Sequence, residues 1–374
     1  MIYVALTILT LYIFVIFSFV IGFDRVRPFK FIKTSPKTTF SVIIPFRNEA
    51  ENLPKLLKSI ENLNYPNELF EIFLVNDESE DNSLEIINRF LVNAKHTINV
   101  VNSIRKSNSP KKDAIEMVIK LANNDWIVTT DADCKLPLNW LLFFDNFIQE
   151  YPTEFVVAPI TYPIENTFLK KFQLLDILSL QGSTIGAFGI NKPFLCNGAN
   201  LCYSKAVFDK VKGFSGNENI SSGDDIFLLE KVSKKYPDKT HYLKSNEVIV
   251  LTKSQPTLNN LINQRKRWAA KATNYTNSFS KFVGITVFLM NTLLVVLFLS
   301  ALIGFFNWKF LLAIFIAKLM LDTLLLIKTA YFFKQQKVLS SMLLSSFIYP
   351  FFSMYVAIAA LQHNFEWKGR TFKK

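Results

Sequence analysis

Two aspartates one residue apart close the apolar run at 126–134, WIVTTDADC. Apolar residues ending in acid are the pattern of the carboxyl end of a buried parallel strand, where open α/β sheets bind their ligands. At a bend off such a strand, Asp131 and Asp133 can both face one hard cation. Mg2+ or Mn2+ takes oxygen ligands and keeps room for phosphate oxygens. Alone, Asp-x-Asp is also a common pattern of solvated acids, so the metal reading leans on the rest of the chain.

The elements that must position these acids follow from hydrophobic patterning. FSVIIPF at 40–46 reads as a buried strand and runs into Arg47-Asn48-Glu49. FEIFLVN at 70–76 is a second, ending in Asn76-Asp77. Helical patterns run to about residue 63, over 79–92 and over 111–121, with a short strand at 98–101 between the last two. This alternation predicts an α/β fold with a mostly parallel sheet and helices on both faces. Right-handed crossovers put the strand ends on one edge, so Glu49, Asp77 and Asp131 are expected to converge. Further on, 137–149 reads as a helix, and 155–159 and 247–251 as strands. Residues 166–180 form an apolar helix, either at the membrane surface or in the core. Gly- and Ser-rich turns at 182–189 and 213–223 suggest mobile loops over a site. Residues 225–232 start a helix with Ser222 or Asp224 near its N-cap. Residues 257–275 form a basic amphipathic helix carrying Gln264, Arg265, Arg267 and Trp268.

Half of the 374 residues are hydrophobic, and the mean hydropathy is +0.23. That is too apolar for an ordinary soluble protein and points to membrane spans. Residues 1–23 carry no charge and are long enough to cross a bilayer, with Arg25, Arg27, Lys30, Lys33 and Lys37 just behind. The positive-inside rule then puts the N-terminus outside and the following domain in the cytoplasm. Three more apolar stretches, 282–306, 310–333 and 338–361, can each span. Lys318 and Asp322, four apart in the middle stretch, can pair on one helix face. Pro350 can kink the last stretch, and the basic tail WKGRTFKK at 367–374 favours the cytoplasmic side, so one stretch is re-entrant or interfacial. The net charge of +12 fits cytoplasmic flanks, and no nucleic-acid module is present. Three cysteines without a C-x-x-C pair and three scattered histidines argue against a disulfide framework, a zinc site or a histidine triad.

Five motifs stand in order: IPFRNEAENL at 44–53, VNDESEDNS at 75–83, DAD at 131–133, SGDD at 222–225 and QRKRW at 264–268. In this order and between apolar flanks, the chain resembles the family-2 glycosyltransferases. The resemblance is to the membrane-embedded branch with the ceramide glucosyltransferases and the cellulose, chitin and hyaluronan synthases, over about 40–270. It implies a nucleotide-sugar-binding domain of the GT-A type. The implied domain layout is a transmembrane helix at 1–23 and a cytoplasmic transferase domain at 38–252. An interfacial segment at 253–281, about three membrane segments at 282–362 and a basic tail at 363–374 complete it.

The resemblance also assigns roles. Pro45, Arg47, Glu49 and Asp77 fall at the donor nucleotide, with Glu49 and Asp77 on the uracil and ribose, a task that suits acceptor-only carboxylates. The family lysine near the nucleotide falls at Lys112, with Lys111 in place of the usual glycine. Asp131 and Asp133 hold the metal and diphosphate. Asp225 falls at the catalytic base, with Asp224 beside it. Adjacent carboxylates can raise one another's proton affinity, which helps a base, although the pair also suits a helix N-terminus. Gln264, Arg267 and Trp268 match Q-x-x-R-W: the arginine fork faces the diphosphate and the tryptophan stacks on the acceptor. The same helix could instead lie on anionic lipid. Gly198 and Asn200 fall near the acceptor side. The function implied is an inverting hexosyl- or N-acetylhexosaminyltransferase that uses a nucleotide sugar, UDP-linked, and a lipid or membrane-delivered glycan acceptor. It would sit in the plasma (inner) membrane with multiple passes and serve cell-envelope glycolipid or polysaccharide synthesis. Its alternatives are a processive polysaccharide synthase and a non-catalytic assembly component that keeps the fold.

Overall fold

The computed structural model describes residues 2–218, 220, 222–272, 274–362, 365–367 and 370–372. Helix α1 (Ile2–Arg25) leads to β1 (Phe40–Phe46), α2 (Leu53–Glu61), β2 (Phe70–Asn76), α3 (Ser83–Leu91), β3 (Ile98–Asn102), α4 (Pro110–Leu121) and β4 (Trp126–Thr129). Next come α5 (Trp140–Glu150), β5 (Phe155–Val157), β6 (Ile160–Thr161), α6 (Phe168–Gly189), β7 (Leu201–Ser204) and α7 (Lys205–Lys210). Then follow α8 (Asp224–Lys235), β8 (Thr240–Tyr242), β9 (Val250–Leu251) and α9 (Leu258–Ala272). Three long helices, α10 (Ser278–Leu302), α11 (Trp308–Phe332) and α12 (Met342–Gln362), precede the antiparallel hairpin β10 (Phe365–Trp367) and β11 (Arg370–Phe372).

The central sheet has seven strands in the order β3-β2-β1-β4-β7-β5-β8. β1 pairs in parallel with β2 and β4, and β7 runs antiparallel to β4 and β5. β1 and β2 are apolar on both faces because helices cover both, so neither shows the alternation of a half-exposed strand. In register, Phe46 faces Asn76 and Ile43 faces Thr129. The chain therefore leaves β1, β2 and β4 at one edge, as the alternation required.

The segment at 182–189 departs from the sequence reading. It is the last two turns of α6, not a loop, and α6 is buried over most of its length against α1 and α11. Of the glycines that suggested mobility, Gly186 and Gly189 instead admit neighbouring backbone, and Gly182 admits the side chains of Leu325 and Thr329. A Cβ on Gly186 would lie 2.4 Å from the Phe19 carbonyl oxygen, and one on Gly189 would lie 1.8 Å from that of Gly22. Small residues let helices approach this closely. β7, inside the segment CNGANLCYS, was also not anticipated.

Among the described residues, four helical stretches are long and apolar enough to cross a membrane by length and composition: Ile2–Arg25, Ser278–Leu302, Trp308–Phe332 and Gln336–Ala360. Pro350 lies inside α12. Lys318 Nζ lies 2.6 Å from Asp322 Oδ2, and the Tyr12 hydroxyl of α1 donates to Asp322 Oδ1 at 2.6 Å. Side-chain bolts tie these helices to the sheet domain. Arg265 of α9 pairs with Asp176 of α6 at 2.6 Å, and the Tyr349 hydroxyl of α12 donates to the same carboxylate at 3.1 Å. Gln335, just past α11, donates to the Tyr162 carbonyl at 2.7 Å. Of the basic tail, residues 363, 364, 368, 369, 373 and 374 lie outside the described residues.

Candidate active site

A cavity of about 1200 Å3 opens at the carboxyl ends of β1, β2 and β4. Pro45, Arg47 and Glu49 reach it from the end of β1, and Asp77 from the end of β2. Asp131 and Asp133 enter from the turn after β4, and Asp224 and Asp225 from the first turn of α8. Gln264, Arg267 and Trp268 of α9 close the far side. The acids that the sequence placed far apart thus share one chamber. Gly198 also lines it. Asn200 is fully buried beneath, its amide bonded to the carbonyls of Pro159 and Val248 at 2.7 Å each.

Lys112 does not line the cavity. It is buried, and its ammonium donates to the carbonyls of Asn217 (2.7 Å) and Ile220 (2.8 Å), pinning the loop before α8. Burial pushes its pKa down to about 8, only partly opposed by Asp224 and Asp225. Of the two adjacent lysines it is Lys111 that lines the chamber, 2.7 Å from Asp131 Oδ1 and 3.3 Å from Asp224 Oδ2. Burial works against its charge, but Asp131 and Asp224 outweigh that and hold it protonated well above the usual lysine range. Successive helical residues point about 100° apart, so only one of two adjacent lysines can face the acids.

Asp225 sits at the N-terminus of α8, where Gly223 takes a left-handed φ of +83°. Its carboxylate accepts from the backbone N–H of Ile226 at 2.8 Å and of Gly198 at 3.1 Å, and Lys271 Nζ lies 3.6 Å away. Burial raises its proton affinity. Lys271, Lys111 and the two N–H groups overcome that and hold it below the usual carboxylate range. This direction is opposite to the rise expected of adjacent carboxylates: burial is what raises the proton affinity, and the nearby cations and N–H groups outweigh it.

Arg47 donates to the Asp77 carbonyl at 3.0 Å and pairs with Glu80 at 2.9 Å, bracing the turn after β2. Trp268 carries the Arg265 guanidinium over its ring, 4.1 Å from the centroid. Asp131 and Asp133 offer the oxygen donors a hard divalent cation takes. Among the described residues no group of three or more His, Cys, Asp or Glu gathers for a metal.

Sequence reasoning left Lys111 and Lys112 as alternatives and passed over Lys271 and Arg370. Lys271 stands four residues after Arg267 on α9, so helical periodicity puts both on one face. Arg370, from the C-terminal hairpin, pairs with Asp77 at 2.7 Å, and no local pattern signals that.

Residues 41–211 match the family model described as Glycosyl transferase family 2. The poly(ribitol-phosphate) beta-glucosyltransferase of Bacillus spizizenii is 27% identical over 32% of this chain and 19% of its own length. The beta-monoglucosyldiacylglycerol synthase of Nostoc sp. is 28% identical over 27% of this chain and 22% of its own. The chain thus spans about a fifth of each of these relatives. The structure of the mannosyltransferase PcManGT from Pyrobaculum calidifontis, in complex with GDP-Man and Mn2+, superposes with a TM-score of 0.58. That likeness covers 92% of this chain and 98% of the other at 15% identity. The sheet is of the GT-A type, mixed and mostly parallel, with four long apolar helices attached.

Proposed function

We propose, with residues 41–211 forming a family-2 glycosyltransferase segment, that this protein is a membrane-bound inverting transferase. It moves a sugar from a UDP-sugar to a lipid or membrane-delivered glycan. The observation that carries this reading is the convergence of Glu49, Asp77, Asp131, Asp133 and Asp225 on one cavity closed by Arg267.

Asp77, an acceptor-only carboxylate at the end of β2, takes the imide N–H of uracil, and Glu49 lies on the ribose side. Asp225, kept ionised by Lys271 and Lys111, accepts the proton of the acceptor hydroxyl. The acceptor oxygen bonds to the anomeric carbon as the bond from that carbon to the diphosphate oxygen breaks. One displacement inverts the centre. Lys111 and Arg267 set positive charge where the leaving diphosphate gathers negative charge. Asp131 and Asp133 would hold a Mg2+ or Mn2+ ion, which supplies Lewis-acid stabilisation of that leaving group when bound.

The acceptor side is walled by Ile177 and Leu180 of α6, the helix packed on α1 and α11, which suits an acceptor delivered from the bilayer. The transferase domain, 38–252, faces the cytoplasm from the plasma (inner) membrane, with 253–281 at the interface. α1, α10 and α11 cross. α12 dips in and returns, because Tyr349 at its middle reaches Asp176 and Arg370 beyond it reaches Asp77. With so few crossings, transfer of single sugars is favoured over a processive synthase, and product length on a gel separates the two.

The test is UDP release by the purified protein over a panel of UDP-sugars with Mg2+ or Mn2+. Asp225→Asn is expected to lower turnover by about 10²- to 10⁴-fold while UDP still binds. Unchanged turnover removes Asp225 from the chemistry.

A further inference from the structure

The donor end of the cavity receives a side chain from the far end of the chain. Arg370 Nη1 lies 2.7 Å from Asp77 Oδ2, and its Nη2 lies 2.5 Å from Glu78 Oε2 and 3.4 Å from the Asp77 carbonyl oxygen. The pair is separated by 293 residues, with all of α10, α11 and α12 in between. It is not a solvated surface pair: the Arg370 side chain is 14% exposed and that of Asp77 is 8%. A guanidinium fork spread over two carboxylates is among the stronger charge-assisted arrangements, whereas exposed pairs contribute little.

The acids around it explain what such a fork can do. The turn after β2 carries Asp77, Glu78, Glu80 and Asp81 within five residues, beside the place where a polyanionic donor must sit. Arg47 answers Glu80, and Arg105 lies 3.4 Å from Glu78. Arg370 answers Asp77 itself. It holds that carboxylate by Oδ2, and among the described residues no hydrogen bond reaches Oδ1.

We infer that Arg370 is a donor-positioning residue: it fixes Asp77 with Oδ1 left to accept from the nucleotide base, and offsets the acidic turn that carries Asp77. The inference rests on the reading of Asp77 as the base-holding group. An arm that merely plugged the pocket would have the opposite effect on affinity, which makes the two separable. Burial raises the proton affinity of Asp77, and Arg370, Arg105 and Arg47 oppose it. Loss of Arg370 therefore moves Asp77 further toward its protonated form as pH falls.

The experiment uses the full-length protein in detergent, with UDP as the probe for calorimetry and the UDP-sugar for kinetics. Arg370→Ala is expected to weaken UDP binding about tenfold and to raise the donor KM in step, with kcat within about twofold. Arg370→Lys, which keeps the charge but not the fork, is expected to recover part of the loss. The acid-side decline of UDP binding should begin at higher pH in Arg370→Ala than in the unaltered protein. Equal or tighter UDP binding by Arg370→Ala overturns the inference. Asp77→Asn separates the failures. If Asp77→Asn binds UDP normally, the reading of Asp77 is wrong. If it loses UDP while Arg370→Ala does not, only the role of Arg370 falls.

Discussion

Gly189→Ala tests how firmly the sheet domain is joined to the first apolar helix. A Cβ at Gly189 would stand 1.8 Å from the Gly22 carbonyl oxygen and 2.8 Å from the Gly22 Cα. Carbon and oxygen normally approach to about 3.3 Å, so α6 and α1 must part by about 1.5 Å. The obstructing atoms are backbone and cannot swing aside as a side-chain end would. Overpacking costs about 1–3 kcal/mol, and this contact belongs at the upper end. Gly284 of α10 is the control, because a Cβ there meets nothing within 4 Å. Removing a helix-interior glycine at such a site stabilises by about 1 kcal/mol. The propensity gain is common to both helical positions, so the two variants should differ by about 3 kcal/mol, the overpacking cost at Gly189. Thermal melts followed by tryptophan fluorescence in detergent read this difference. Because Gln181 and Thr184 of α6 line the cavity, Gly189→Ala should also raise substrate KM. If Gly189→Ala melts with Gly284→Ala, at or above the unaltered protein, the backbone contact between α6 and α1 does not hold the domain.

Other perturbations probe the remaining charges. Lys271→Met removes the cation nearest Asp225, so burial raises that carboxyl; the acid limb of the kcat/KM profile should shift to higher pH, and an unmoved limb would show that Lys271 does not hold the base ionised. Lys112 has a folded pKa of about 8 against an ordinary 10.5, so the unfolded chain binds more protons between those values and stability should rise with pH across that window. That pH-dependent part is of the order of 3 kcal/mol, and melts of Lys112→Met over the same range should lack it. Tyr12→Phe strips one hydrogen bond from Asp322 and leaves the Lys318 pair, so it should lower stability by about 0.6–2 kcal/mol with turnover unchanged; a large loss of turnover would give this cluster a functional part.

The strands that carry the site were legible because each is apolar on both faces and stops in a polar residue. The register of Phe46 on Asn76 and Ile43 on Thr129 shows why those stops coincide. β7 escaped because its four residues, LCYS, are too short to show a pattern of their own, and it is held by pairing with β4 and β5. The glycines of 182–189 were misread because glycine serves two ends, loosening a loop or admitting a neighbouring helix, and only tertiary packing decides. The choice between Lys111 and Lys112 turned on helix phase after Pro110, a matter of 100° that adjacent identical residues cannot reveal. The lowered proton affinity of Asp225 depends on Lys271 and Lys111, which come from other helices. Asp77 with Arg370 is the extreme case, since no window of sequence contains both.

That last pairing bears on how the protein is made. Arg370 leaves the ribosome after α10, α11 and α12 have been synthesised, whereas Asp77 is made with β2. A nascent chain can therefore make its sheet strands early, but the proposed donor pocket stays one side chain short until α10, α11 and α12 have been made. Premature termination anywhere in those helices would leave Asp77 without Arg370, and the proposed donor site would lose at least the affinity that Arg370→Ala loses.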